Sequence, residues 1–490
     1  MKTNIYILLL VSLFLTSCVS LDEEPQSFIT TDQFYKTQTD AVSAVTSVYH
    51  LLGHNTDGDH ASLYNRLLVL AVGMSSDDHI AGPRATVADV RSIAVLGSSK
   101  TNTRYSALWR RLYQGINRAN AAIDRIPLID MDTALQVRLV REAKFLRALY
   151  YFNLVRLWGD VPLVLHETTS LSGLNVSRES ANKVYAQILI DLEEAEKLPA
   201  SYTGVDIFRA TSGAAKAILI DVYATRQQWA NVLSKYDEIS KAPYSYNLFT
   251  NYADVFSVSK KNTVEHIFSV QCIGDGKITT SNGTGNFNIL GQISAPVAIK
   301  GGDADAPHPS LYSIFSGTDK RRDVTFYTSY TLNGKTTTIT PHFGKYVDPA
   351  ATAILQSSVN IPIIRYAEIV LFNAEAINEL NGPTSEAYDA INRVRTRAGL
   401  PNLTAGLTKD QFRDSVYLER RKEFVYEQIR WFDLIRGIDK VGNKTVLVSA
   451  IKKIDKGTGK TDADIAKYYL LPIPQGEIDT NPNLTQNPNW

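Results

Sequence analysis

Four aspartates in polar segments, Asp77, Asp78, Asp303 and Asp305, are the carboxylates that a glycoside hydrolase could pair, since such groups can lie far apart in sequence. No nucleophile elbow, zinc-protease motif or C-x-x-C accompanies them. The eight histidines, His50, His54, His60, His79, His166, His266, His308 and His342, show no metal-ligand spacing on any one helix. Asn55, Asp57 and Asp59 imitate the first three positions of a calcium loop. His60 stands where that loop needs glycine and Arg66 where it needs a bidentate glutamate. Gly457-Thr458-Gly459-Lys460-Thr461 and Gly334-Lys335-Thr336 end like phosphate loops, but Ile454 and Ser329 occupy the first glycine position, so both read as solvated turns. Cys272, in the apolar run from Glu265, reads as a small buried strand residue rather than a nucleophile. No cofactor or metal is indicated, and the chain is not expected to be an enzyme.

The elements that must position any site are mostly helical. Apolar residues recur at three to four over Asp32–Leu52, Tyr105–Ile126, Ala134–Trp158 and Val184–Leu198. The stretch from Thr211 to Pro243 splits at Arg226-Gln227-Gln228 into two helices. Arg365–Leu380 and Ser385–Ala398 form a similar pair hinged at Asn381-Gly382-Pro383. Paired helices of about 34 residues are the tetratricopeptide type of repeat, which buries its faces only by stacking. Between the halves, residues 243–362 are rich in Gly, Ser, Thr and Asn, with short β-type runs at Ile267–Val270 and Val324–Thr331 and a hairpin signal at Asn333-Gly334. Met74–Thr103 lacks helical periodicity, and loops of that length usually serve a function or are disordered.

One segment, Glu419–Gly437 (ERRKEFVYEQIRWFDLIRG), predicts a single buried helix with two apolar stripes. Its charges must then be paired, Glu427 with Arg430 and Asp433 with Arg436 at helical spacing of three.

The N-terminus carries Lys2 and an apolar run from Ile5 to Leu15. A bilayer span needs about 20 residues, so this is the core of a signal peptide covering residues 1–17. The following Leu15-Thr16-Ser17-Cys18 resembles a bacterial lipobox, which makes Cys18 the lipidated first residue of the mature chain. Leu21-Asp22-Glu23-Glu24-Pro25 reads as a tether. The 51 basic and 50 acidic residues give a formal charge of +1, with no electrostatic reason to expect nucleic acid.

The segment ERRKEFVYEQIRWFDLIRG resembles the signature of SusD/RagB proteins, as do YQGINRAN, FLRALYYFNLVRLWGDVPLV and the tail LLPIPQGEIDTNPNLTQNPNW. The resemblance covers essentially the whole mature chain. It implies a mainly α fold, a tetratricopeptide-like helix-hairpin scaffold with an irregular, loop-rich, partly β insertion. The body would be a single SusD-like unit, 18–490, with an N-terminal helical half (18–242), the insertion (243–362) and a C-terminal helical half with an extended tail (363–490). It further implies an outer-membrane, cell-surface lipoprotein that binds an oligomeric nutrient, a glycan above all, and delivers it to a SusC-like TonB-dependent transporter. Peptide or other cargo, or a non-catalytic adaptor, are the alternative readings.

The Met74–Thr103 loop, which lies near the ligand face in relatives, has no aromatic residue here. Sugar stacking must then use Tyr64, Phe287, Tyr312, Tyr327 and Tyr330, with Asp77, Asp78, Arg84 and His308 as polar partners. Lys320-Arg321-Arg322 is expected at a solvated edge or in pairs between loops.

Overall fold

The computed structural model describes residues 34–54, 62–170, 172–274, 287–348, 350, 357–437 and 446–490. The leader, Cys18 and the Asn55–His60 segment lie outside the described residues, so the lipobox and calcium-loop readings find no test here.

Ten principal helices follow the apolar periodicity: α1 (Gln38–Gly53), α2 (Thr103–Arg125), α3 (Thr133–Trp158), α4 (Ala181–Ala195), α5 (Ser212–Thr225), α6 (Trp229–Ile239), α7 (Tyr366–Asn381), α8 (Ser385–Arg397), α9 (Lys409–Glu423) and α10 (Arg430–Arg436). The first helix starts later than expected. Thr37 and Asp40 form a reciprocal capping box there, which satisfies two free amides and sets the start at Gln38. Asp132 caps α3 by accepting from the Leu135 amide at 2.7 Å, and Gly159 ends it at φ +70°, a conformation glycine adopts without penalty.

From α2 to α8 each helix packs on the next, and α7 also packs against α5 and α9. This is the stacked-hairpin scaffold that the helix pairs predicted. Within it α3 is buried on nearly all sides from Phe145 to Val155. Arg147 is buried too. It donates twice to Asp191, at 2.7 and 2.8 Å, and to Asn120 and the Leu165 carbonyl. Each fully buried Phe or Leu here contributes about 1.5–3 kcal/mol.

Eight short strands pair only two by two among the described residues: β1 (His79–Ala81) with β5 (Asp305–Pro307), β2 (Val161–Pro162) with β3 (Arg178–Glu179), β4 (His266–Val270) with β8 (Ile361–Arg365), and β6 (Phe326–Leu332) with β7 (Lys335–Phe343). All four ladders are antiparallel. Three of them join segments distant in sequence and so strap the loops to the helices. The fourth is the hairpin announced by Asn333-Gly334, both at positive φ as its tight turn requires.

Two expectations about loops change. Met74–Thr103 contains β1 and a seven-residue helix, Ala88–Ala94. The C-terminal tail is not wholly extended, since Gln475–Thr480 is helical. It does pack back on the body. Trp158 donates to the Pro472 carbonyl at 2.8 Å, and the Leu471 amide to the Leu157 carbonyl at 2.7 Å.

The largest correction concerns Glu419–Gly437. It is not one helix: α9 stops at Glu423, the chain turns through Phe424–Ile429, and α10 begins at Arg430. Tyr426 and Gln428 both sit at φ +65°, an uncommon conformation for side-chain-bearing residues, held here by tertiary contacts. Tyr426 stacks on Phe343 at 4.2 Å with ring planes 8° apart, and its hydroxyl donates to the Leu290 carbonyl. Gln428 donates to the Tyr64 carbonyl at 2.6 Å. The break thus exchanges one turn of helix for contacts to Tyr64, Leu290 and Phe343, three distant parts of the chain.

Candidate functional site

Beneath the site lies a buried ionic floor. Five carboxylates, Glu265, Asp319, Glu419, Glu423 and Glu427, meet five cations, Arg321, Lys345, Arg365, Arg395 and Arg397. Arg365 is the hub. It donates to Glu265 at 2.6 Å, to Glu423 at 2.6 Å and to Glu427 at 2.8 Å, at 1 % exposure. Burial alone would raise the Glu423 carboxyl, but Arg397, Arg365 and Arg321 hold it well below the usual carboxylate range. The sequence pairing of Glu427 with Arg430 is corrected: Glu427 takes Lys345 at 2.7 Å and Arg365, while Arg430 takes Asp77. The break after α9 turns these two side chains to different neighbours. The other expected pair, Asp433 with Arg436, forms at 2.8 Å. Arg321, fully buried, belongs to the floor and not to a solvated edge.

A second set of ion pairs holds the loop after Met74. Asp77 receives two hydrogen bonds from Arg430, both 2.8 Å, and Asp78 receives one from Arg421 at 2.6 Å. Burial works to raise the Asp77 carboxyl, and Arg430 and then Arg421 overcome it, holding it well below its ordinary value. Lys456 donates to the backbone carbonyls of Met74, Ser76 and His79. Asp305, fully buried, contacts His79 Nδ1 at 2.9 Å. Of the four aspartates a hydrolase might have paired, Asp77, Asp78 and Asp305 are therefore committed to ion pairs or to His79, and Asp303 alone reaches partial exposure.

The nine residues proposed for ligand contact divide accordingly. Asp77 and Asp78 are buried in ion pairs with Arg430 and Arg421. Tyr64 is buried, its hydroxyl accepting from Asn153 at 3.0 Å, and burial pushes its phenol up to about 12. Phe287 is buried with its carbonyl held by Asn65. His308 is nearly buried, caps a short helix through Ser310 and faces Asp455 at 3.0 Å. These five do not present a ring or charge to an open face, because the core or an ion partner takes it.

Arg84, Tyr312, Tyr327 and Tyr330 reach the surface in varying degree. The turn at Gly82 lays Arg84 against the 303–304 segment: the Gly82 amide donates to the Ala304 carbonyl and the Arg84 amide to the Asp303 carbonyl. A Cβ at Gly82 would stand 2.4 Å from the Asp303 carbonyl oxygen, so no larger residue fits. Asp303 Oδ1 lies 3.4 Å from His342 Nε2, and His342 lies across the hairpin from Tyr327 with ring centroids 5.7 Å apart. Burial, then Asp303, raises the Tyr327 phenol. Its oxygen has no hydrogen-bond partner among the described residues. Tyr330 sits three residues further along β6, opposite Thr337, and Tyr312 packs edge-on against Phe326 at 5.4 Å below the hairpin. Partly exposed tyrosines therefore lie along and below β6, with His342 and Asp303 beside Tyr327 and the Arg84 backbone on the 303–304 segment. Rings with polar groups at their edges can hold a ligand that is apolar on its flat side and hydroxylated around its rim.

Sequence reasoning did not find His342. Counting outward from Asn333-Gly334 pairs Ser329 with Thr338, which is observed, and would pair Tyr327 with Thr340. A bulge between Tyr327 and Ser329 moves the partner to His342.

A stacked-hairpin helical scaffold carrying a loop-rich insertion with a surface aromatic face is the class of protein these observations define. The sequence matches two family profiles, one described as the SusD family over residues 312–490 and one described as starch-binding associating with outer membrane over residues 21–224. The chain belongs to the SusD/RagB family. It is 27 % identical to SusD-like protein P2 of Formosa agariphila over 98 % of each chain. It is 23 % identical to the starch-binding protein SusD of Bacteroides thetaiotaomicron, covering 82 % of this chain and 81 % of that one. A solved laminarin-binding SusD-like protein superposes with a TM-score of 0.78 at 27 % identity, over 93 % of this chain and all of the other.

Proposed function

We propose that the protein is a lipid-anchored lipoprotein of the outer-membrane surface that captures an oligomeric glycan and hands it to a SusC-like TonB-dependent transporter. The observation that carries this reading is the likeness, over 93 % of this chain, to the laminarin-binding SusD-like protein. The partly exposed tyrosines of β6 support it, because sugar rings stack on flat aromatic surfaces and the exposed Arg84 and partly exposed Asp303 can take hydroxyls. Capture for transport requires release, so a shallow, half-open face suits the task better than an enclosed pocket. Anchoring is assigned to Cys18. Among the described residues no helix is long and apolar enough to cross a membrane.

The test is purification from envelopes in mild detergent. A large barrel transporter should co-elute, the Cys18→Ala variant should leave the membrane fraction, and laminarihexaose or a related hexaose should bind and be recovered uncut. Binding of peptides alone, release of shorter sugars, or a Cys18→Ala variant that stays with the lipid would each overturn the reading.

A further inference from the structure

A second cleft lies away from the hairpin face and shares no lining residue with it. It is bounded by the segment before α5, the turn after α6 and the strand β4, and encloses about 270 Å³. Tyr202, Phe208, Tyr244, Tyr246 and Phe268 line it, together with the His266 ring. Tyr244 and Tyr246 lie nearly parallel, 12° apart with centroids at 6.1 Å, and the Tyr244 hydroxyl is fixed to Ser212 at 2.9 Å. On the β4 side, Asn262 and Gln271 clasp each other through their amides at 2.8 and 3.0 Å, and Asn360 also donates to Gln271. The charged side chain in the lining, Arg209, is taken up by Glu142 and Asp206. The lining is therefore electrically neutral.

Its polar floor is incompletely paired. The Tyr202 hydroxyl, His266 Nδ1 and Ser269 Oγ are shut off from solvent and have no hydrogen-bond partner among the described residues. His266 and Ser269 are more than nine-tenths buried. His266 Nε2 faces the Val255 carbonyl at 2.8 Å and must donate to it, which leaves Nδ1 of the neutral ring as an acceptor. An unpaired buried polar atom costs about 1–3 kcal/mol, so three around one cleft call for an explanation. Ile207 and Val264, 48 % and 46 % exposed, add an apolar rim. Flat parallel rings, neutral amides and hydroxyls, and no free charge suit an uncharged ring with an apolar face and hydroxyl edges. A phosphate, a carboxylate or an ionised peptide terminus would find no counter-charge.

We propose that this cleft is a second carbohydrate site, taking one uncharged pyranose unit of an oligosaccharide between Tyr202, Tyr244 and Tyr246. The Tyr202 and Ser269 hydroxyls reach the sugar by turning toward the cleft, which ends their unpaired state, while His266 stays fixed on the Val255 carbonyl. The site goes beyond capture at the hairpin face and does not depend on which glycan that face selects. A long glycan could occupy both at once, raising avidity without new contacts at either.

The experiment is hydrogen–deuterium exchange on the full mature chain with laminarihexaose, maltohexaose, cellohexaose, mannohexaose and xylohexaose. At least one should protect residues 243–246 and 262–271. Ser245→Trp, which fills the cleft from an exposed position, should abolish that protection and weaken binding there about tenfold or more, while leaving protection of the hairpin intact. Tyr246→Ala should do the same without the added bulk. Protection of the hairpin alone, or cleft protection unchanged by Ser245→Trp, overturns this proposal and spares the capture reading. Protection of neither region by any hexaose overturns both.

Discussion

The ionic floor and the hairpin face are built from similar polar and aromatic residue types and behave oppositely. Under α9 and α10, Glu423, Glu427 and Asp433 each meet at least two cations, and aromatic rings such as Tyr252 and Phe424 cover Arg365. On β6–β7, the Tyr327 hydroxyl lacks a partner among the described residues and Tyr330 is only half-buried. Charges in the first region are paired with opposite charges from within the chain, although Glu419 Oε1 and Arg397 Nε lack a hydrogen-bond partner among the described residues. Side chains in the second retain ring faces and polar edges for something else. Residue type alone does not mark a binding site; ring surface left exposed on the hairpin does.

The comparison can be broken most sharply at Arg365. Arg365→Met leaves Glu265, Glu423 and Glu427 short of a buried partner. It should cost about 3–5 kcal/mol in denaturant unfolding, enough to prevent accumulation of folded protein. A variant with near wild-type stability would show that the floor is not a unit.

Asp77→Asn is the next largest. It removes the charge that holds Arg430 and part of Arg421, and should cost about 1.5–3 kcal/mol. Hydrogen exchange should quicken across the 74–103 segment while the α5–α6 hairpin stays protected. Because Asp77, Glu423, Glu427 and Asp433 are all held below their ordinary range, their contribution is present above about pH 4 and is lost as pH falls further.

Glu368 sharpens the contrast within the interior, because its shift has the opposite sign. Burial, only partly offset by Arg420, raises it to about 7. The folded state therefore keeps a proton that the unfolded chain gives up, and stability falls as pH rises from about 4 to about 7. Glu368→Gln, which mimics the protonated form, should gain stability relative to wild type more at about pH 8 than at about pH 4. Equal effects at both would show that Glu368 is ionised throughout.

The smallest effect on folding belongs to the open face. Tyr330→Ala should change stability by less than about 0.5 kcal/mol while weakening hexaose binding about tenfold, the converse of Arg365→Met. Loss of folding with no change in binding would reverse the assignment of the two regions.

Much of the scaffold was legible before any coordinates. Helix pairs such as α5–α6 and α7–α8 announce themselves by local periodicity and by breaks at Gln227 and Gly382, and the β6–β7 turn by Asn333-Gly334 at positive φ. The candidate site was legible in part. Arg84, Tyr312, Tyr327 and Tyr330 do reach the surface, whereas Tyr64, Phe287 and the Asp77-Asp78 pair lie inside, because burial depends on which distant segment lands on them. Lys345 and Arg365 lie 58 to 100 positions from the glutamates they bind, beyond any local pattern. The second cleft left no trace in the sequence, since its walls come from three segments that only folding brings together.

Chain order and local preference thus decided where helices begin, where hairpins turn, and that the helices must stack to bury their faces. Tertiary structure alone decided that Glu419–Gly437 is two helices joined by a turn. The contacts of Tyr426 and Gln428, and the turning of Glu427 toward Arg365, outweigh the few backbone hydrogen bonds a continuous helix would add. Helical periodicity reports which residues want burial. Which partner each buried charge finds is a question of three-dimensional neighbours, and there long-range pairing prevails over spacing along the chain.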